Sequence, residues 1–293
     1  MIALPPQVRV FLDRHATDMR KTFHGLVALT ESEGTDMRVA SIQLEMADRP
    51  KAEAIAHALA AVDRAPAADL LLMPEIWPSG FFCFDRYEAD AEPLDGPTVL
   101  AFRAKARERG CHLLMGSLVE RRDGKRFNSS VFIGPGGDLL AVYRKIHLFG
   151  YQSDETRLLT PGSEIVVVDT PWGRTGFSTC YDLRFPELFR RMVDRGAEVF
   201  LVASAWPLAR VEAWRLFNRA RAHENLAFLV SCNCAGQNAG KPYAGHSMVV
   251  DPWGRVLAEG GQGGEVVTAE LDVAAAAQAR AEFPALSDRV LRC

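Results

Sequence analysis

The alternation of short apolar segments with helix-forming segments after Met37 is the feature that most constrains the fold of this chain. Segments such as "MRVASIQLEM" and "ADLLLMPE" predict buried strands, and the alanine-rich stretch at 50–64 predicts a helix. Some strands are separated only by turn residues, as in "VFIGPGGDLLAVY", so the sheets are expected to be mixed rather than purely parallel. Buried strands that alternate with helices are typical of α/β proteins.

The same pattern divides the chain into a short extension and a large domain. Residues 1–36 have apolar residues at helical spacing, followed by the linker-like "TESEGTD", and predict a peripheral helix plus linker. No linker interrupts residues 37–293, which predict one domain. Further elements are expected as strands at 38–44, 111–118, 197–203 and 226–233 and as helices at 96–109, 185–195 and 209–225.

Charge and composition exclude several classes of function. The net charge is −3 and no basic block appears, which argues against a nucleic-acid partner. No apolar run reaches the roughly 18 residues that a membrane span needs. Six cysteines in 293 residues are too sparse for a disulfide framework, and the N-terminus lacks a signal-peptide pattern. These observations predict a cytoplasmic protein with free thiols.

Three reactive side chains lie at the ends of predicted strands, where α/β folds carry their sites. Glu75 ends "LLLMPE", Lys145 ends "LAVYRK" and Cys180 ends "GRTGFSTC". Singly, each has a structural interpretation: a helix cap or surface ion pair for Glu75, a solvated lysine, and a core cysteine. Together they supply a nucleophile, a cation and a proton acceptor. That set is suited to acyl transfer at a C–N bond.

Each of these groups has a distinct expected role in that chemistry. The thiol of Cys180 requires activation by a base or a cation. Glu75 can take the thiol proton and return it to a leaving amine. Lys145 and the backbone N–H of Tyr181 can hold a developing oxyanion.

Three segments, "LLLMPEIWPSGF", "YRKIHLFG" and "CYDLRFPEL", resemble the signature segments of the nitrilase, or carbon-nitrogen hydrolase, superfamily, and they occur in the family's order. The resemblance covers Met37 to about Val290. It implies a four-layer αββα sandwich with two mixed sheets and a Glu75, Lys145, Cys180 triad. It also implies a homodimer and a second glutamate, which "DETRLLTPG" offers as Glu155. No cofactor and no metal are implied.

Within the superfamily, the chain looks most similar to the branch of omega-amidases and deaminated-glutathione amidases. This similarity implies the terminal amide of a small, carboxylate-bearing substrate. Arg184 is the candidate for binding the carboxylate, because a guanidinium can hold it through two hydrogen bonds. The alternative is a structural ion pair of Arg184 with Glu187 or Asp182. The expected apolar walls of the substrate pocket are Phe81, Phe149 and Trp206.

Other functions stay open at this point. The same triad serves carbamoyl (ureido), guanidino-type and nitrile substrates. A metalloenzyme is disfavoured because no His-Glu-x-x-His motif occurs, and Cys232 and Cys234 are expected in a buried strand. A Cys-His hydrolase would use His147 as the partner of the cysteine. A non-catalytic binding protein on the same fold would be expected to lack one of the triad residues.

Overall fold

The computed structural model describes residues 36–291. The predicted helix and linker over 1–36 therefore lie outside the described residues, apart from Asp36. Within the described part of the chain, none of the helices combines the length and the apolar character that a bilayer crossing requires.

Strands supply the central layers of the fold. In chain order they are β1 (Asp36–Gln43), β2 (Glu45–Met46), β3 (Leu70–Leu72), β4 (His112–Arg122), β5 (Lys125–Ile133), β6 (Leu139–Arg144), β7 (Val167–Thr170), β8 (Gly173–Thr179), β9 (Val199–Ser204), β10 (Phe228–Asn233), β11 (Ala235–Asn238), β12 (Lys241–Pro242), β13 (Met248–Val250), β14 (Val256–Glu259) and β15 (Glu265–Asp272).

Helices lie between these strands along the chain. They are α1 (Lys51–Arg64), α2 (Tyr87–Asp90), α3 (Pro97–Arg109), α4 (Glu155–Leu158), α5 (Pro186–Asp194), α6 (Val211–Asn225) and α7 (Ala275–Glu282). Local sequence sets several boundaries. The α3 helix starts with Pro97 in its first turn and stops at Gly110, whose φ of +60° suits a left-handed cap.

Two six-stranded sheets form the frame, in the orders β15-β1-β3-β4-β5-β6 and β14-β13-β10-β9-β8-β7. The centres are parallel, with β3 beside β1 and β4 in one sheet and β9 beside β8 and β10 in the other. Antiparallel hairpins such as β4–β5 and β7–β8 complete the sheets. The expectation of mixed sheets is confirmed.

The alternation of side chains along the strands shows which face of the first sheet packs against which layer. Leu70 and Leu72 of β3 belong to a core cluster that continues through the second sheet to Phe189 of α5 and Trp214 of α6. Leu71, between them, belongs to a separate cluster with the buried faces of α1 and α3. Successive side chains on a strand point to opposite faces. The first sheet is therefore covered by helices on one face and by the second sheet on the other, which gives the predicted αββα sandwich.

Aromatic contacts join the two sheets. Phe132 of β5 and Phe177 of β8 are both buried, and their ring centroids are 5.2 Å apart. This packing fixes the separation of the sheets, and the strand ends that carry the candidate site residues are held in register by it.

Two elements depart from the sequence-based expectation. The C-terminal helix α7 was not predicted, although its sequence "AAAQARAE" has good helix propensity. A small third sheet, β12-β11-β2, was also missed, because two- and four-residue strands carry too little periodicity to be recognised.

Candidate active site

The fold brings the three predicted reactive side chains to the interior from three strand ends. Glu75 follows β3 by three residues, Lys145 directly follows β6, and Cys180 directly follows β8. Glu75 and Lys145 have no solvent exposure, and Cys180 has 6%. Glu155, at the start of α4, is also fully buried.

Lys145 lies between two glutamates. Its Nζ is 2.8 Å from Oε1 of Glu75 and 2.9 and 3.0 Å from the two carboxylate oxygens of Glu155. Such N⁺–H···O⁻ distances are those of charge-assisted hydrogen bonds. The side chain also lies 5.3 Å from the centre of the Phe81 ring. One buried ammonium therefore joins the two carboxylates.

Asn128 of β5 joins the same two carboxylates, and sequence analysis did not single it out. Its Nδ2 donates to Oε1 of Glu75 at 2.8 Å and to Oε1 of Glu155 at 2.9 Å. Its backbone carbonyl accepts the N–H of Lys145 at 2.9 Å. The available signal was an asparagine and two serines directly before the apolar "VFI" of the same strand.

Backbone donors fix the remaining carboxylate oxygens. Oε2 of Glu75 accepts the N–H of Ala205 at 2.9 Å, just beyond β9 of the second sheet. Oε2 of Glu155 accepts the N–H of Phe149 at 2.6 Å, which ties the loop after β6 to the cluster. The Glu75 carboxylate is thus held from both sheets, and its orientation does not depend on a flexible surface contact.

The charges in this cluster alter one another's protonation. Burial alone would lower the pKa of Lys145, but the negative charges of Glu155 and Glu75 raise that pKa above its usual value. Burial raises the pKa of Glu155, although Lys145 opposes the increase. Lys145 therefore stays protonated throughout the neutral range and remains a cation for the site.

Cys180 occupies a strained turn. Its φ is +47°, and it begins a 3₁₀ helix over Cys180–Arg184. A non-glycine residue in the left-handed region costs roughly 1–3 kcal/mol. Thr179 and Asp182 form a reciprocal capping box around this turn, with the Asp182 carboxylate accepting the Thr179 N–H at 2.9 Å. This tight turn precedes α5, which starts at Pro186, close to the start of the helix expected at 185–195.

The buried carboxylate of Asp182 connects this turn to the lysine. It accepts hydrogen bonds from the Tyr143 hydroxyl at 2.6 Å and from the His147 backbone N–H at 3.1 Å. The His147 Nδ1 lies 2.7 Å away. Tyr143 and His147 are two residues before and two residues after Lys145. One side chain therefore holds the nucleophile's turn and the lysine's loop in a fixed relation.

This arrangement also bears on two alternatives from the sequence. His147 stacks on Phe185 at 3.8 Å and pairs with Asp182, and it is absent from the cavity that contains Cys180. A Cys-His pairing is therefore disfavoured. The alternative ion pair of Arg184 with Asp182 does not form, since the oxygens of Asp182 are taken by Tyr143, Thr179 and His147.

The thiol of Cys180 is neutral at rest. Burial raises the pKa of Cys180 well above its ordinary value, and the negative charge of Glu75 adds to the increase, while Lys145 opposes it. A preformed thiolate is therefore not favoured in the unliganded protein. Any reaction at this sulfur therefore requires a proton acceptor, and the Glu75 carboxylate lies close enough to influence the thiol.

A small cavity borders Cys180, with about 330 Å³ of empty space that is partly open to solvent. It is lined by every residue that the sequence nominated for substrate contact and by others that it did not, among them Arg210. Its walls include Phe81, Phe149, Cys180, Tyr181, Arg184, Trp206 and Arg210.

Arg184 lies among aromatic rings in this cavity. Its guanidinium carbon is 5.1 Å from the Phe217 ring centre, 5.2 Å from that of Trp206 and 6.0 Å from that of Tyr181. Ion pairs in the described part of the chain involve other arginines, such as Arg215 and Arg221. Within residues 36–291, Arg184 pairs with no carboxylate, so the alternative ion pair with Glu187 does not form either.

Two further cysteines are buried and do not line the cavity that contains Cys180. Cys232 and Cys234 are fully buried, and the Cys232 thiol lies 3.1 Å from the carbonyl oxygen of Ile42. Among the described residues, no group of three or more histidine, cysteine, aspartate or glutamate side chains has a metal-binding arrangement. A larger groove of about 960 Å³ beside α5 contains no cysteine.

Comparisons with known proteins identify the family that this chain resembles. The model of the carbon-nitrogen hydrolase family matches residues 38–281. A 2-oxoglutaramate amidase of Bacillus subtilis is 37% identical over 75% of this chain and 85% of its own length. The omega-amidase of Homo sapiens is 33% identical over 85% of this chain and 94% of its own length.

A solved structure extends the comparison to the fold. The chain is similar to a CN-hydrolase superfamily protein from Xanthomonas campestris, whose structure holds an arsenic adduct in the active site. The TM-score is 0.82 and the identity 33%, covering 88% of this chain and 98% of that one.

The raised pKa of the thiol predicts how Cys180 reacts with iodoacetamide. The alkylation rate of an ordinary cysteine is half-maximal near its pKa of about 8.5 and levels off about one to two pH units higher. We expect the rate at Cys180 to keep rising beyond about pH 10, because the thiolate remains a minor species there. Mass spectrometry of the peptide that carries Cys180 measures the rate. A plateau below pH 8 would show that the resting group is a thiolate.

The contacts of Asp182 predict that its loss affects the chemical step. Asp182→Asn keeps the shape but weakens the hydrogen bonds to the turn and the loop, so kcat should fall about 10- to 100-fold with KM changed less than about threefold. Tyr143→Phe should give a smaller loss in kcat, since it removes one bond. Steady-state kinetics together with thermal unfolding measure this. Equal losses in activity and folded fraction would indicate only destabilisation.

Proposed function

This chain belongs to the carbon-nitrogen hydrolase family, and we propose that it hydrolyses the terminal amide of a small carboxylate-bearing molecule, releasing ammonia through a thioester on Cys180. The observation that carries the proposal is the buried lysine held within 3.0 Å of two glutamates, beside a cavity that contains the thiol. The names of the relatives, 2-oxoglutaramate amidase and omega-amidase, support an amide with an acid group at its other end.

The first step joins sulfur to carbon. The neutral thiol of Cys180 transfers its proton to Glu75 while the sulfur bonds to the amide carbonyl carbon. The carbonyl electron pair moves to oxygen, where Lys145 and the N–H of Tyr181 stabilise the negative charge. An ammonium has three N–H donors, and at rest all three reach oxygens of the two glutamates, so the developing oxyanion takes over or shares one of them.

The second step breaks the C–N bond. The carbonyl re-forms, Glu75 returns the proton to the leaving nitrogen, and ammonia departs, which leaves a thioester on Cys180. Water then attacks the thioester while Glu75 accepts a proton from it. The C–S bond breaks, the proton passes to sulfur, and the carboxylic acid is released.

Glu155 has a supporting role in this scheme. Its two oxygens hold Lys145 in place, and its charge partly balances the ammonium, so that the lysine remains fixed when the proton leaves or returns to Glu75. Glu155 itself does not exchange a proton with the substrate.

The acid end of the substrate is assigned to Arg184, with Phe81, Phe149 and Trp206 as the apolar walls along the chain of the substrate. A guanidinium without a carboxylate partner in the described residues is available for a bidentate pair with the substrate. The aromatic rings around it limit its motion, which reduces the entropy lost on binding.

Carbamoyl, guanidino-type and nitrile substrates use the same nucleophile, and a non-catalytic binding protein remains the alternative of another class. An intact set of buried charges argues against the latter, because keeping a lysine and two glutamates out of water is costly without a function.

We further propose that the protein works in the cytoplasm as a homodimer. Free thiols at all five cysteines within the described residues are consistent with a reducing compartment. The outward face of α6 exposes Leu216 to 62%, which is consistent with an apolar contact near the nucleophile's helix.

Ammonia release tests the proposed reaction. We expect the protein to release ammonia from glutaramate, and Cys180→Ala to lower this by at least roughly 1,000-fold, because the covalent path is lost. Cys111→Ala is the matched control, since Cys111 is buried outside the cavity, and should retain activity within a few-fold.

A panel run beside glutaramate separates the alternatives. Ureido and nitrile analogues of the same length should release little or no ammonia. Preferential turnover of either analogue would replace the amide assignment, and no turnover of any compound would favour the binding protein. Full activity in Cys180→Ala would remove the cysteine mechanism.

A further inference from the structure

A second arginine in the cavity has no assigned role. Arg210 ends the short 3₁₀ helix Leu208–Arg210 and lines the same cavity as Cys180 and Arg184. Its guanidinium carbon lies 5.7 Å from the Phe149 ring centre and 5.3 Å from that of Tyr151. The side chain is therefore held over the loop that follows Lys145.

The charge of the cavity is the second observation. Neither Arg184 nor Arg210 pairs with a carboxylate within residues 36–291, and no aspartate or glutamate is among the residues that line the cavity. Two like charges in one small space repel each other, and their donors are only partly exposed to water. An anionic occupant offsets both the repulsion between the two guanidiniums and the cost of keeping their donors partly out of water. The cavity is therefore complementary to a negative group.

The two guanidiniums reach the cavity from different walls. Arg184 belongs to the turn after Cys180 and packs on Trp206 and Phe217. Arg210 packs on the loop wall, and its backbone carbonyl accepts the indole N–H of Trp206 at 2.8 Å. Trp206 thus contacts both arginines, one through its ring face and the other through its N–H.

We propose that Arg210 is a specificity-determining residue that, together with Arg184, binds the acid end of the amide substrate. A carboxylate has two oxygens with about four acceptor positions, so it can accept hydrogen bonds from two guanidiniums at once. This inference rests on the proposed amidase function and adds to it the residue that selects anionic over neutral amides.

The test compares two amides that differ only at the far end. Glutaramate carries a carboxylate, and pentanamide has the same length with a methyl group in its place. We expect the wild-type protein to prefer glutaramate in kcat/KM. Arg210→Met, which keeps an apolar stem, should lower kcat/KM for glutaramate about 10- to 100-fold, mainly through KM. It should leave pentanamide within about threefold.

Two further variants make the result specific. Arg210→Lys keeps the charge but not the planar fork, and should fall between the wild type and Arg210→Met. Arg122→Gln removes an exposed arginine that pairs with Asp123 on the β4–β5 hairpin, and should change neither substrate.

The outcomes separate this inference from the proposed function. Equal losses for both amides in Arg210→Met, or an unchanged preference, would overturn the role of Arg210 while leaving the amidase intact. If Arg184→Gln loses the preference for glutaramate while Arg210→Met keeps it, the acid end is bound by Arg184 only, and the role of Arg210 is overturned. Failure of the wild-type protein to hydrolyse either amide would instead contradict the proposed function itself.

Discussion

The buried lysine between two glutamates is the interaction on which the rest of the site depends. Taking one ammonium and two carboxylates out of water is costly, and removing one partner from such a buried group typically costs about 3–5 kcal/mol. Here the hydrogen bonds from Lys145, Asn128 and the backbone of Ala205 and Phe149 offset that cost. Because these donors come from both sheets, the αββα frame and the charge cluster stabilise each other.

The cluster also sets the chemistry at Cys180. A buried thiol beside a negative carboxylate stays protonated, so in the proposed mechanism its reactivity appears only when substrate is in place and the proton can move to Glu75. Such a nucleophile is protected from the oxidation and alkylation to which exposed thiolates are susceptible. The strained turn and the contacts of Asp182 hold the sulfur in position, so that little reorganisation is needed at the moment of attack.

Sequence reasoning recovered the layered fold, because periodicity and motif order are local properties of the chain. The nominated reactive residues lie together in the structure, and their roles stay predictions. It missed features that exist only after folding. The positive φ values of Ile76 and Cys180 arise from tertiary constraint, and neither residue type favours them. Asn128 is placed in the site by hydrogen bonds to Glu75 and Glu155, which are distant in sequence, and Arg210 lines the cavity without a carboxylate partner among residues 36–291. Their residue types alone indicate a polar strand position and a surface charge.

The central claim is that turnover passes through an acyl group on Cys180. Acid quenching of the wild-type protein during turnover of glutaramate, followed by peptide mass spectrometry, tests it directly. The account predicts an adduct on the peptide that carries Cys180, with the mass of the substrate less ammonia, that disappears as the substrate is exhausted. Sustained release of ammonia with this peptide unmodified at every quench time, or with the adduct on another residue, would contradict it.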